Sequence, residues 1–232
     1  VTGTALPRVM IAVPSYTGQL STEFVLSLVE NLVDLAAAGI LWHFHTCTGN
    51  CLVHLARNGL AMDFLQSEAT HLLFWDDDVG AQPDAARRLL EADRDIVAGC
   101  YPAKLPSEAV NHRTWQVYLP DGAAPDAAGL IEADGLQTGF MLIARRVIEG
   151  MVEQLPERRY YDHQSRQHAY DLFPTGLNPF LPHGPNGQVW WGEDLAFTAL
   201  ARQCGFRAWL VPDLTFTHTG RYVWRGSFAQ TQ

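Results

Sequence analysis

The sequence predicts an α/β fold: a mainly parallel central sheet flanked by helices, with a smaller antiparallel part. Three observations carry this. Over the first hundred of the 232 residues, apolar strand-like runs alternate four times with segments of helical period. The first of these runs is nearly continuous in apolar residues, as strands buried on both faces require. After Tyr101 the pattern changes to alternating, half-exposed segments separated by turn residues.

Residues 8–14 make the first strand, ended by Pro14, which cannot donate to a ladder. Ser21-Thr22-Glu23 opens a helix in which Phe24, Leu28, Leu32 and Leu35 recur at helical spacing, and Gly39 stops it. Residues 40–46 form the second strand. Residues 52–65 form the second helix, with Leu52, Leu55, Ala56, Leu60 and Phe64 on one face. Residues 71–75 are the third strand and run into Asp76-Asp77-Asp78. Pro83 takes the first position of a helix reaching about residue 92. Residues 95–99 are the fourth strand.

Beyond Tyr101, residues 115–119 alternate like a half-exposed strand, and Asp121-Gly122 and Pro125-Asp126 are turn signals. Residues 130–133 and 139–143 read as strands, 145–154 as a helix, 195–204 as a helix stopped by Gly205, and 206–211 as a last strand. Residues 156–189 are rich in Pro, Gly, His and aromatics without a period, and a stretch of that length is usually functional. From Thr217 onward little regular pattern is expected. There is no internal repeat, and one domain is the simplest organisation.

Composition excludes several classes. Hydrophobic residues make up 47% and charged residues 18%, which is globular rather than disordered. Sixteen basic against 25 acidic residues give a net charge of −9, and there is no Lys/Arg run. A nucleic-acid partner is therefore not expected, because no basic patch exists to displace counterions. No apolar run approaches the roughly 20 residues of a membrane helix, so no integral membrane segment is expected. The first ten residues lack the charged start and long apolar stretch of a secretory signal. Four cysteines, Cys47, Cys51, Cys100 and Cys204, are too few for a disulfide scaffold, and a reduced, cytoplasmic compartment is expected.

Asp76-Asp77-Asp78 sits at the carboxyl end of the third strand, where open α/β sheets bind ligands. On an extended chain Asp76 and Asp78 would share one side and Asp77 the other. Two carboxylates crowded on one side repel unless a cation lies between them, and hard oxygen ligands suit magnesium or manganese. Helix-capping aspartates ahead of Pro83 are the plainer alternative. Trp190-Trp191-Gly192-Glu193-Asp194 directly precedes the helix at 195–204. Negative charge there suits a helix N-terminus. The tryptophans add faces that stack on sugar rings, and a carboxylate beside them can take a proton from a hydroxyl.

His43, His45 and Cys47 share one strand face, with Cys51 and His54 following, but this spacing matches no familiar zinc pattern. His163, His168 and His183 fall in the irregular stretch, where they can meet substrate. There is no Gly-x-x-x-x-Gly-Lys-Ser/Thr loop, no Gly-x-Gly-x-x-Gly after the first strand, and no Gly-x-Ser-x-Gly.

These segments, in this order, resemble the GT-A (Rossmann-like) class of nucleotide-sugar glycosyltransferases, especially the family 2 group. Val13-Pro14-Ser15-Tyr16 is similar to the family's opening nucleotide-binding segment, and Ala56-Arg57-Asn58 to its lead-in to the metal strand. Trp75-Asp76-Asp77-Asp78 resembles its Asp-x-Asp motif, with Asp76 and Asp78 as the paired positions. Thr138-Gly139-Phe140 resembles the segment lining the donor sugar. Gly192-Glu193-Asp194 resembles the acceptor-side Glu-Asp motif, and His218 the histidine that completes the metal site.

The resemblance spans residues 8 to about 222 and implies one domain. Its nucleotide-binding half would be residues 8–101, and its acceptor and metal-completing half residues 102–222. It also implies a hexosyltransferase that uses a divalent metal, manganese over magnesium. The metal would be held by Asp76, Asp78 and His218. The donor would meet Pro14, Tyr16, Arg57, Asp76, Asp77, Thr138, Gly139, Arg221 and Tyr222, with Lys104 a further candidate. The acceptor, a carbohydrate or other hydroxyl compound, would meet Trp190 and Trp191. Asp194, with Glu193 beside it, would be the base of an inverting transfer. Thr46-Cys47-Thr48-Gly49-Asn50 lacks the carboxylate with which members often read the base, so UDP is expected from family habit alone. Ala56-Arg57-Asn58 and Trp75 to Val79 are also similar to a fungal mannosyltransferase family that retains configuration. Two readings of other classes stand beside this: a metal-dependent nucleotidyltransferase or phosphohydrolase, and a non-catalytic carbohydrate-binding protein.

Overall fold

The computed structural model describes residues 7–104, 115–177, 187–220 and 223–231. Strand β1 (Arg8–Ser15), helix α1 (Thr22–Ala37), β2 (Leu41–Thr48), α2 (Val53–Gln66) and β3 (His71–Trp75) come first. Then follow β4 (Val79–Ala81), α3 (Ala85–Glu91), β5 (Ile96–Ala98), β6 (Ile131–Ala133), β7 (Phe140–Ala144) and α4 (Arg145–Gln154). A hairpin of β8 (Arg159–Asp162) and β9 (Gln167–Tyr170) precedes the short pair β10 (Gly176–Leu177) and β11 (Trp190–Trp191). Helix α5 (Glu193–Gln203), β12 (Ala208–Leu210), β13 (Thr215–Thr219) and β14 (Val223–Ser227) complete the fold.

A seven-stranded sheet has the order β2-β1-β3-β7-β5-β12-β6. β1, β2, β3, β5 and β12 run one way; β7 and β6 run back. This is the mainly parallel sheet the alternation predicts. Each strand divides its apolar side chains between two layers because successive residues face opposite sides. Val9, Ile11 and Val13 of β1 pack with Phe24 and Leu35 of α1, while Met10 and Ala12 pack with Leu60, Ala61 and Phe64 of α2. Helix α1 starts where expected: the Ser21 hydroxyl accepts from the Phe24 amide at 3.1 Å.

Several local expectations change: residues 115–119 form only an isolated bridge, Tyr118 to Gly135, and the stretch after Pro156 contains the β8–β9 hairpin. β1 runs through Pro14 to Ser15; its ladder with β3 stops at Ala12, so one side of the strand is free and the missing N–H costs little there. Pro83 lies ahead of α3, whose cap is Asp84. Helix α5 begins at Glu193, so the acidic pair occupies its first turn rather than preceding it. The chain after Thr217 is not irregular: β13 pairs with β14 and with β4, making a three-stranded antiparallel sheet. Within it, Gly80 lies so close to β13 that an added Cβ would overlap the Thr217 hydroxyl.

Candidate active site

β3 ends at Trp75, and the three aspartates form a turn, not an extended strand. The Val79 amide donates to the Asp76 carbonyl at 3.1 Å, and the Trp75 indole donates to the Val79 carbonyl at 2.6 Å. The alternation expected for the triplet therefore does not apply; the turn, not the pleat, aims the three side chains. The backbone pins the turn on several sides. The Asp76 amide donates to the Gly139 carbonyl at 2.9 Å, the Ser21 amide to the Asp77 carbonyl at 2.9 Å, and the Thr219 amide to the Asp78 carbonyl at 2.8 Å.

Asp76 turns inward. Its carboxylate accepts from Arg57 Nη2 at 2.9 and 3.3 Å. Arg57 is 2% exposed, on the inner face of α2. Two other carboxylates reach it from the start of α5: Glu193 at 3.8 Å from Nε and Asp194 at 4.0 Å from Nη2. The Thr138 hydroxyl donates to Asp194 Oδ1 at 2.6 Å. Burial pushes the Asp194 carboxyl up to about 7, against the pull of the Arg57 charge and with help from neighbouring Glu193. Burial alone would lower the Arg57 pKa, but Asp76, Asp194 and Glu193 together hold it above its ordinary value. Arg57 Nε and Nη1 find no hydrogen-bond partner among the described residues, although buried.

Asp78 turns the other way. It pairs with the Lys104 ammonium, and its Oδ1 lies 3.5 Å from His218 Nε2. The Pro102 carbonyl, 2.8 Å from His218 Nδ1, can only accept, so Nδ1 donates to it and Nε2 is the ring nitrogen that faces Asp78. Burial would raise the Asp78 pKa, but contacts with His218 and Lys104 outweigh it and hold the carboxyl below its usual range. Asp77 is raised by burial against a hydrogen bond from Ser15. Register delivers His218: it stands opposite Val79 in the β4–β13 ladder, one residue beyond Asp78. Among the described residues no group of three or more His, Cys, Asp or Glu side chains could hold a metal ion. Of the three expected metal ligands, Asp78 and His218 face one another, while Asp76 is held by Arg57.

A cavity of about 360 Å³ opens beside the turn and brings Pro14, Ser15 and Tyr16 together with Asp76, Asp77 and Asp78. A second, of about 570 Å³, holds Glu193 and Asp194 against Trp115 and Tyr118. Trp190 and Trp191 are not in its lining: Trp190 is 70% exposed and its ring lies over Gly176. Trp115, Tyr118 and Tyr101 were not among the expected site residues. Tyr101 is buried, with its ring edge-on to His218 at 4.8 Å between centroids. Arg221, Tyr222 and His183 lie outside the described residues. His45 pairs with Asp63 at 3.0 Å rather than with its histidine and cysteine neighbours. His163 and His168 lie edge-on to Tyr161 in the β8–β9 hairpin.

Gly139 lets Asp76 come close. A Cβ there would overlap the Tyr101 hydroxyl and lie 2.5 Å from Asp76 Oδ2. Gly139→Ala is expected to destabilise the fold by about 1–3 kcal/mol through overpacking, read as a lower denaturant midpoint at unchanged m-value.

No protein-family model matches this chain, and no curated protein matches it. Solved structures do. The crystal structure of A197 from STIV has a TM-score of 0.51 at 18% identity, covering 92% of this chain and 86% of that one. GalNAc-T7, crystallised with UDP, GalNAc and Mn2+, has a TM-score of 0.54 at 12% identity. That match covers 92% of this chain and 44% of GalNAc-T7, so this chain spans less than half its length. At these identities the likeness is one of fold, and the fold is GT-A-like, as the motif order implies. No helix among the described residues is long and apolar enough to cross a membrane.

Proposed function

We propose that this chain is a metal-dependent glycosyltransferase that moves a hexosyl group from a nucleotide-diphosphate donor, UDP favoured, to a hydroxyl of a carbohydrate or similar acceptor, with inversion. The observation that carries the reading is Asp194. It is a carboxylate pushed up to about 7, beside an open cavity and one side chain away from the Asp76 turn. A base matched to neutral pH is what proton removal from a hydroxyl needs.

In this reading Asp194 accepts the acceptor proton as the acceptor oxygen forms its bond to the anomeric carbon. The bond from that carbon to the diphosphate oxygen breaks, and its electron pair leaves with the diphosphate. Thr138 and Arg57 orient the base and hold its charge. Pro14, Tyr16, Asp76 and Asp77 line the donor side, with Gly139, Arg221 and Tyr222 further candidates. Trp190 and Trp191 offer rings to the acceptor beyond the cavity. Asp78 and His218 would hold the cation, and the imidazole in that pair favours manganese over magnesium, whose ligands are almost all oxygen. When bound, such a cation neutralises charge on the diphosphate. A nucleic-acid partner is not part of the reading. Cytoplasmic placement belongs to it and rests on the four cysteines, all unbridged.

Thermal-shift measurements with UDP, GDP, CMP and dTDP, each with manganese or a chelator, test this. A nucleotide at about a hundred times its Kd is expected to add about 2.7 kcal/mol, lost when chelator replaces metal. No response to any nucleotide overturns the reading.

A further inference from the structure

Among the described residues the sheet has one long edge without a cover. β2 is eight residues long, and among the described residues it pairs only with β1. Its sequence, Leu-Trp-His-Phe-His-Thr-Cys-Thr, contains no Lys, Glu, Asp or Pro, and its ladder with β1 runs through all eight positions without a bulge. Those are the devices by which sheet edges usually avoid pairing with another chain.

The apolar surface continues from this edge onto α1. Val9 and Ile11 of β1 face α1, and their register partners are Trp42 and Phe44, so those two side chains lie on the α1 side of the edge. Helix α1 buries Phe24, Asn31 and Leu35. Its other face carries Val25, Val29 and Val33, one ridge at four-residue spacing, with Leu26 beside it. Val33 is 66% exposed and Leu26 61%. From their fractional exposures, Val25, Leu26, Val29, Val33, Trp42 and Phe44 together present on the order of 500 Å² of surface. A symmetric pair would hide roughly 1,000 Å² from these alone, the area a specific interface needs, before the strand edge is counted. A patch of this size is at the upper end for a lone domain.

We propose that this face is the two-fold interface of a homodimer. A dyad perpendicular to the sheet sets β2 of one copy antiparallel to β2 of its partner. It also keeps both α1 helices on the same side of the joined sheet, so the valine ridges meet above the central strand pair. The interface is isologous: the same patch serves on both copies. The two Asp76 turns then lie at opposite ends of the joined sheet, because the paired strands run in opposite directions. This inference does not depend on the transfer chemistry.

Sedimentation equilibrium at about 1–100 µM tests it, since dimer stability depends on protomer concentration. The average mass of the wild-type chain is expected to climb across that range from near 25.8 kDa towards twice that value. Phe44→Lys and, separately, Val33→Lys are expected to weaken association at least about tenfold while keeping the circular dichroism of the fold. Amide exchange of the unmodified chain across the same concentrations needs no variant: protection of β2 and α1 should rise with concentration. A monomer throughout, variants that fold and still pair, exchange that ignores concentration, or a monomer that cosediments with lipid vesicles would each overturn the proposal.

Discussion

Asp194→Asn is expected to lower transfer by about 10²–10⁴-fold, leave nucleotide binding intact, and raise the stability of the fold above pH 7. The two effects have one cause. Burial holds the Asp194 carboxyl at about 7, so the folded state favours its neutral form. An unfolded aspartate titrates near 4. The folded chain therefore binds one more proton than the unfolded chain between those values. The stability this proton carries is fully present below about pH 4 and is lost as pH rises through 7. Asparagine keeps the hydrogen bond from Thr138 and never ionises. The gap in unfolding free energy between variant and wild type should open over that window and reach a few kcal/mol by about pH 8. Urea melts at pH 5 and pH 8 measure it. Wild-type transfer should rise through about pH 7 as the base ionises. Near-normal transfer by the variant would remove Asp194 as the base; a gap that does not widen would show the carboxylate to be solvated.

Arg57→Met should have the largest effect on stability. The guanidinium is buried, bonds Asp76 at 2.9 Å, and lies within 4.0 Å of Glu193 and Asp194. Removing it leaves three carboxylates with no positive partner in a site of low dielectric, and breaking a buried pair in this way costs about 3–5 kcal/mol. Its loss also takes away the charge that pulls the Asp194 pKa down, so the pH at which transfer sets in should move above 7. Adding Asp194→Asn to Arg57→Met should recover part of the lost stability, with a coupling of about 0.5–3 kcal/mol in the double-mutant cycle. Arg57→Lys should not rescue, because a point charge cannot reproduce the planar fork. A loss below about 1 kcal/mol would mean that water screens this cluster.

The sequence made the frame legible where the signals were long. Residues 71–75 and 145–154 match β3 and α4 residue for residue, because a dense apolar run and a full amphipathic period leave little choice. The approach of His218 to Asp78 was available only from motif order. The ladder that produces it joins a three-residue strand to a five-residue one rich in threonine, too short and too polar for periodicity to show. Arginine on a helix is normally solvated, so the burial of Arg57 could not be read from its neighbours. Its reason is visible only in three dimensions, where α5 and the β3 turn bring carboxylates to it. Trp190 and Trp191 drew attention as an aromatic pair, yet Trp115 and Tyr118 line the cavity beside Asp194, placed there by a bridge between Tyr118 and Gly135.

The insertion of β7 between β3 and β5 has a consequence for the order in which the molecule assembles. Because β7 runs back against both neighbours, its start at Phe140 lies beside the end of β3 at Trp75. The same crowded corner draws in the start of α5 and the end of β13. The contacts that define it join residues far apart in the chain: Asp76 with Gly139, Arg57 with Asp194, Asp78 with His218. Closing loops of that length costs entropy before any contact rewards it, which slows folding and favours local pieces first. A ribosome-bound chain that has emerged only through β5 can pair β1 with β2 and β3, yet it holds none of those contacts. The corner closes only once residues as late as His218 have emerged, so its formation reports that β7, α5 and β13 have reached their places.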